Sequence, residues 1–155
     1  MFLIINPQDF NKKYLMLSEK IKNNIMNDGF FYRLYYSDDC GTTKGLFLEF
    51  NLVNVSVEKY FNKLKCNFIK NDNTTIIRFI KNVEKIILSS VPNVEYKTPV
   101  YRIEEQLQND FIKIFYNDTK NIHEKKSIGL LLKISGIWTN EKEYGVTFRF
   151  FLIRQ

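Results

Sequence analysis

The chain has 155 residues and a mass of 18.6 kDa, is 45% hydrophobic and 26% charged, and carries a net charge of +6 with a pI near 9.2. That is enough chain to bury one domain's core, and no apolar run approaches the about 20 residues of a membrane helix, so it reads as a non-membrane protein. Its 2 Cys, without CxxC spacing, and its single His fall short of a zinc ligand set and suit a reducing, intracellular setting, cytoplasmic by expectation.

Phe2 to Ile5 reads as a short strand. The MFLIINPQDF opening is no secretory signal, because it lacks a basic start and Asn6, Pro7 and Asp9 cut its apolar run short. Asp9 or Asn11 caps an expected N-terminal helix over Lys12 to Asn27, where Tyr14, Leu17, Ile21 and Ile25 recur at helical spacing. Asp28-Gly29 stops it. Phe30 to Tyr36 (FFYRLYY) is a dense aromatic strand. Ser37 to Gly45 is a polar loop, and no phosphate loop, since the Gly-Lys-Ser/Thr ending is missing and a strand follows. Leu46 to Val57 alternates throughout, with Leu46, Leu48, Phe50 and Leu52 on one face and Phe47, Glu49, Asn51 and Val53 on the other. Glu58 to Lys63 reads as a turn of helix, and Lys65 to Lys70 as a further strand. From a Thr74 or Thr75 cap, Ile76 to Ser89 is the clearest helix: Ile76, Ile80, Val83 and Ile87 make its apolar face, with Arg78, Lys81 and Lys85 opposite. The span after Val91, with Pro92 and Pro99, reads as a long irregular loop. Phe111 to Tyr116 is a strand, Asn117 to Ser127 a polar loop, and the remainder to Gln155 a closing hairpin.

This order predicts one domain over residues 1–155, mostly β with helices (α+β). A meander, a helix after its third strand and a closing hairpin are the layout of an OB-like antiparallel β-barrel. Phe30 to Tyr36, Leu46 to Val57 and Lys65 to Lys70 are then strands 1 to 3. The long helix sits between strands 3 and 4, and the N-terminal helix precedes them all. A generic α+β sandwich is the alternative. In the hairpin, a turn centred near Glu141 sets Trp138 opposite Tyr144 and Lys133 opposite Arg149. Alternation gives Leu130, Leu132, Ile134, Gly136 and Trp138 one apolar face.

Catalysis finds little support. His123 lies in a lysine-rich loop without a serine or cysteine partner, and reads as an exposed loop histidine rather than a general base. Asp38-Asp39 and Glu104-Glu105 are neighbouring dipeptides, whereas metal-dependent chemistry draws acids from several elements to one point. No metal or cofactor is expected, and the chain reads as a non-enzyme. Basic residues interleaved with aromatics on strands are more telling: Arg33 near Tyr35, Lys65 with Phe68 and Lys70, Lys113 near Phe115, and Lys133 and Arg149 on the hairpin arms. Cations tracking phosphates and rings stacking on bases are how single-stranded nucleic acid is held. Against this, most Phe residues on alternating strands are core, Trp138 reads as buried slightly more readily than stacking, and part of the basicity follows from a Lys-, Asn- and Ile-rich composition without Ala, typical of AT-rich coding.

The segment LLLKISGIWTNEKEYGVTFRF, with Lys133-Ile134-Ser135-Gly136-Ile137-Trp138, a polar turn and then Tyr144-Gly145-Val146-Thr147-Phe148, resembles the closing hairpin of OB-fold single-stranded-DNA-binding proteins of large eukaryotic DNA viruses. Those are relatives of the phage-type binders, with counterparts expected on cytoplasmic linear plasmids. The resemblance implies sequence-nonspecific binding of single-stranded DNA, with RNA as the alternative strand, by a replication accessory protein, with replication proteins as partners and scope for oligomerisation. Phage-type relatives recruit partners through an acidic C-terminal tail. Here the last residues, FRFFLIRQ, are basic and apolar, which puts that route in doubt. On this reading Tyr35, Phe68, Trp138 and Tyr144 stack on bases while Arg33, Lys65, Lys70, Lys133 and Arg149 meet phosphates. The rival is a small structural or accessory subunit of a viral or plasmid complex, using the same aromatic faces for protein contacts.

Overall fold

The computed structural model describes residues 4–22, 29–115 and 124–153. Along them run strands β1 (Ile4–Ile5), β2 (Leu15–Leu17), β3 (Ile21–Lys22), β4 (Phe30–Asp38), β5 (Gly41–Lys44), β6 (Leu46–Tyr60) and β7 (Lys63–Asn67). Helix α1 (Thr74–Ser89), β8 (Thr98–Val100), helix α2 (Arg102–Gln108), β9 (Phe111–Phe115), β10 (Glu124–Thr139) and β11 (Glu143–Leu152) follow.

Two long strands of alternating apolar residues, β6 and β10, pair antiparallel from Leu46↔Ile134 to Ser56↔Glu124. β6 turns back into β7, and β7 pairs antiparallel with β9. β9 lies parallel to β11, with Phe150 beside Ile114, and β11 hairpins onto β10. The circuit β6-β7-β9-β11-β10 therefore closes on itself as a five-stranded barrel. Its interior is filled by alternate residues of every strand: Leu48, Phe50 and Leu52, Leu64 and Cys66, Ile112 and Ile114, Leu130, Leu132 and Ile134, and Val146 and Phe150 are all buried.

Local devices keep those faces in phase. Unbroken alternation would turn Val55 and Val57 outward. Asn54 adopts a φ of 55°, and beyond it the alternation is reversed, so that Val55 and Val57 are buried. Asn visits this left-handed region at lower cost than most residues. One residue earlier, the buried Asn73 side chain acts as a strand: its Oδ1 accepts from Val53 N at 2.8 Å and its amide donates to Val53 O at 3.1 Å. On α1, Ile77, Ile80, Val83 and Ile87 enter the core. Glu84, on the same helix and fully buried, accepts hydrogen bonds from Ile103 N and Glu104 N at 3.0 Å each. It thus satisfies amides that the first turn of α2 would otherwise leave without partners.

This arrangement replaces the OB-like layout expected from sequence. The Phe30 strand is not part of the closed circuit; β4 pairs with only the last four residues of β10, Gly136 to Thr139. The sheet is not purely antiparallel, since β9–β11, β8–β11 and β1–β6 are parallel pairs. Both helices fall between β7 and β9, that is between the second and third barrel strands. There is no N-terminal helix over the described part of residues 12–27. Asn11 caps a single 3-10 turn at Lys12–Tyr14, and Leu15–Leu17 pair with Leu34–Tyr36 of β4. A helix there would leave the amides of that edge of β4 without partners; Phe10 and Tyr14 instead set their rings on Tyr36, centroids 6.2 and 5.8 Å away. The helical turn expected at 58–63 is the end of β6 and a tight hairpin. The loops expected at 37–45 and 92–110 contain β5, and β8 with α2.

Candidate functional site

Outward residues of the barrel strands alternate with the buried ones, and several are cationic. Lys65 on β7 stands directly opposite Lys113 on β9. Lys113 and Arg149 each precede by one residue the parallel Ile114↔Phe150 pair. Arg149 stands directly opposite Lys133 on β10, and Lys133 opposite Phe47 on β6. Four cations therefore form one row across four consecutive strands, a span of about 15 Å at the usual strand spacing. Like charges directly across a strand pair are unfavourable. Among the described residues none of the four has a carboxylate within 4.0 Å; the two ion pairs found there are Lys70–Asp110 at 3.4 Å and Lys85–Glu104 at 3.9 Å. Glu58, opposite Lys65 on β6, faces an amide instead, with Asn67 donating to it at 3.5 Å.

Each cation of the row rests on an aromatic ring. Lys65 Nζ is 4.5 Å from the Phe111 centroid, Lys113 Nζ 5.4 Å from Tyr60, Arg149 4.8 Å from Phe115 and Lys133 Nζ 5.6 Å from Phe47. Lys63 adds a fifth, 4.7 Å from Phe115. Beyond Lys65 the hairpin runs through the Tyr60↔Lys63 pair to the β6–β7 turn, where Phe61 is 89% exposed at a φ of 56°, with its ring edge-on to Tyr60 at 4.9 Å. A bulky side chain in that backbone region is a strained outlier, of the kind that gathers at binding sites.

The residues singled out from sequence divide into four groups. Lys65, Lys133 and Arg149 belong to the row. Arg33 and Tyr35 lie on β4, Arg33 exposed and opposite Gly136, and Tyr35 half-buried between Met16 and Lys44. Lys70 sits on the turn after β7, paired with Asp110. Phe68, Trp138 and Tyr144 are at most 9% exposed. Phe68 and Tyr144 are packed into the core, and burial pushes the Tyr144 phenol above its usual range.

Trp138 is displaced by a bulge. Between Ile134 and Gly136 the register shifts by one residue, so Trp138 pairs with Gly145, and Thr139 with Tyr144. The Lys133↔Arg149 pair lies before the bulge and keeps the expected register. The shift turns Ile137 into the core and puts Trp138 on the outer face, under the Arg102 guanidinium at 4.8 Å. Phe61, Phe111, Lys63 and Arg102 were not singled out from sequence. Alternation in FIKIF and the tight spacing of YFNK between two strands are the signals that point to the first three; Arg102 has none.

Comparison with protein-family models, with curated proteins and with solved structures gives no match for this chain. Among the described residues no group of His, Cys, Asp and Glu is placed to hold a metal ion, and no helix is long and apolar enough to cross a membrane. His123 lies outside the described residues. What the surface offers chemically is anion binding by a row of cations, with aromatic rings close beside it.

Proposed function

We propose that the outer face of the barrel binds single-stranded nucleic acid without strong sequence preference, with DNA as the favoured strand and a replication accessory role as its setting. The observation that carries this reading is the Lys65–Lys113–Arg149–Lys133 row, which places two directly opposed like-charge pairs side by side. A polyanion laid across the row relieves both repulsions at once. Rings beneath and beside the cations give bases a stacking surface that does not depend on base identity. Relative to the sequence reading, the stacking role passes from Phe68 and Tyr144, which are core, to Phe61, Tyr60, Phe111 and Phe115.

The test is a fluorescence titration with an oligo-dT strand over a range of salt. Binding that weakens as salt rises is the expected result, because each phosphate contact releases a counterion. Absence of binding at low salt overturns the reading.

A further inference from the structure

The row runs across the strands, but the cationic surface also continues along the hairpin, towards its turn. On β11, Gly145, Thr147 and Arg149 share the outer face, and on β10 the bulge brings Trp138 to that same face opposite Gly145. A Cβ on Gly145 would come within 2.8 Å of Trp138 Cζ2, so the indole lies across the glycine. Between Lys133 and Trp138, the neighbouring strand β4 contributes exposed Arg33 opposite Gly136 and Phe31 opposite Trp138. From Arg149 to Gly145 is about 13 Å along an extended strand.

Arg102 closes this path. It is the first residue of α2, exposed, with its guanidinium 4.8 Å from the Trp138 ring. Its position is fixed from behind: the next two backbone amides, Ile103 N and Glu104 N, are both held by the buried Glu84 carboxylate at 3.0 Å. Of the acids on the same helix, Glu104 is 3.9 Å from Lys85, and Arg102 has no carboxylate within 4.0 Å among the described residues. The guanidinium is a planar group, and because Arg102 is exposed it can take a second flat partner in addition to the indole. Bases stack on guanidinium planes as they do on aromatic rings.

We infer that Arg102, held against Trp138, is a base-stacking platform at the end of the hairpin, and that a strand bound at the cation row runs past Arg33 to place a base on it. The inference rests on the single-stranded nucleic-acid reading and adds to it a subsite on a different element, α2. Trp138 supports the platform from beneath, and Glu84 is a positioning residue.

The experiment compares wild type, Arg102→Ala and Arg102→Lys on two strands of equal length, oligo-dT and an abasic deoxyribose-phosphate strand, with thermal melting to verify folding. The expected result is an about tenfold loss of oligo-dT affinity in both variants, within the about 5- to 150-fold that one base stack carries, and a much smaller loss on the abasic strand. Arg102→Lys keeps the charge, so its loss separates stacking from phosphate attraction. The emission of Trp138, the only Trp of the chain, is expected to respond to oligo-dT more strongly than to the abasic strand. Equal losses on the two strands, or wild-type affinity in Arg102→Lys, overturn the platform while leaving the wider reading intact. Failure of wild type to bind either strand overturns both.

Discussion

At the scale of single residues, burial sets the chemistry of several groups. Cys66 is fully buried and its thiol is pushed up to about 12 by loss of solvation, whereas Cys40 is exposed. Because the thiolate is the nucleophile, alkylation of the folded chain is expected to label Cys40 alone, and labelling in denaturant to reach both; mass spectrometry distinguishes the outcomes. Glu84 makes a second case. Burial raises its carboxyl above the usual range, against the opposing pull of the Ile103 and Glu104 amides. A carboxyl raised on folding contributes stability that is complete below its unfolded value and lost as pH rises through its folded one. Melting temperatures of wild type and Glu84→Gln, followed from about pH 4 to about pH 7, should therefore move in favour of the variant as pH rises. A gap independent of pH would show that Glu84 is not titrating in that window.

Among the elements, the β6–β7 and β10–β11 hairpins carry three of the four cations of the row, and each contains a position that departs from the simplest design. Phe61 holds a left-handed conformation that Asn or Gly would adopt more cheaply. Phe61→Asn is expected to raise stability, because Asn enters the left-handed region at lower cost, while weakening oligo-dT binding by about 1–3 kcal/mol if the ring stacks on a base. A substitution that improves the fold and harms the function would mark the ring as retained for binding. Gly136 is the counterpart: a Cβ there would lie 2.2 Å from Tyr32 O and 2.5 Å from the Phe31 ring. Gly136→Ala should cost at least about 1–3 kcal/mol through overpacking, visible in a denaturant melt. The strands at 30, 46, 111 and the closing hairpin, and α1, were legible because aromatic density, alternation or helical spacing runs through most of each. What escaped was set by distant partners. Tyr14, Leu17 and Ile21 keep helical spacing, yet the free edge of β4 takes 15–17 as a strand; α2 follows a proline-bearing span and is capped by a side chain from α1. In the hairpin, the expected Lys133↔Arg149 pair occurs only because the bulge offsets a turn centred half a residue beyond Glu141, and that bulge, which also moves Trp138, is not written in the alternation.

For the whole molecule, the charge row makes a quantitative prediction. Single-stranded binding weakens with salt at a log–log slope of about −0.7 per phosphate neutralised, so Lys133→Ala with Arg149→Ala should reduce the slope by about 1.4 and leave the melting temperature little changed. An unchanged slope would place the phosphate contacts elsewhere on the chain. The two partners of β10 have a further consequence. One edge of that strand is covered first by β6, from Glu124 to Ile134, and then by β4, from Gly136 to Thr139. The barrel closes without β4, so the segment before Leu46 is not needed to complete the ring of strands. It adds Ile5, Tyr32, Leu34 and Tyr36 to the core, and through β4 it covers that edge. Removing it would bare a short edge bearing Ile137 and Trp138, with unpaired amides and carbonyls on offer to any other chain. A chain shortened to start at Leu46 is therefore expected to self-associate through that edge, seen as rising light scattering with concentration. On this view the N-terminal strands protect the protein from its own copies.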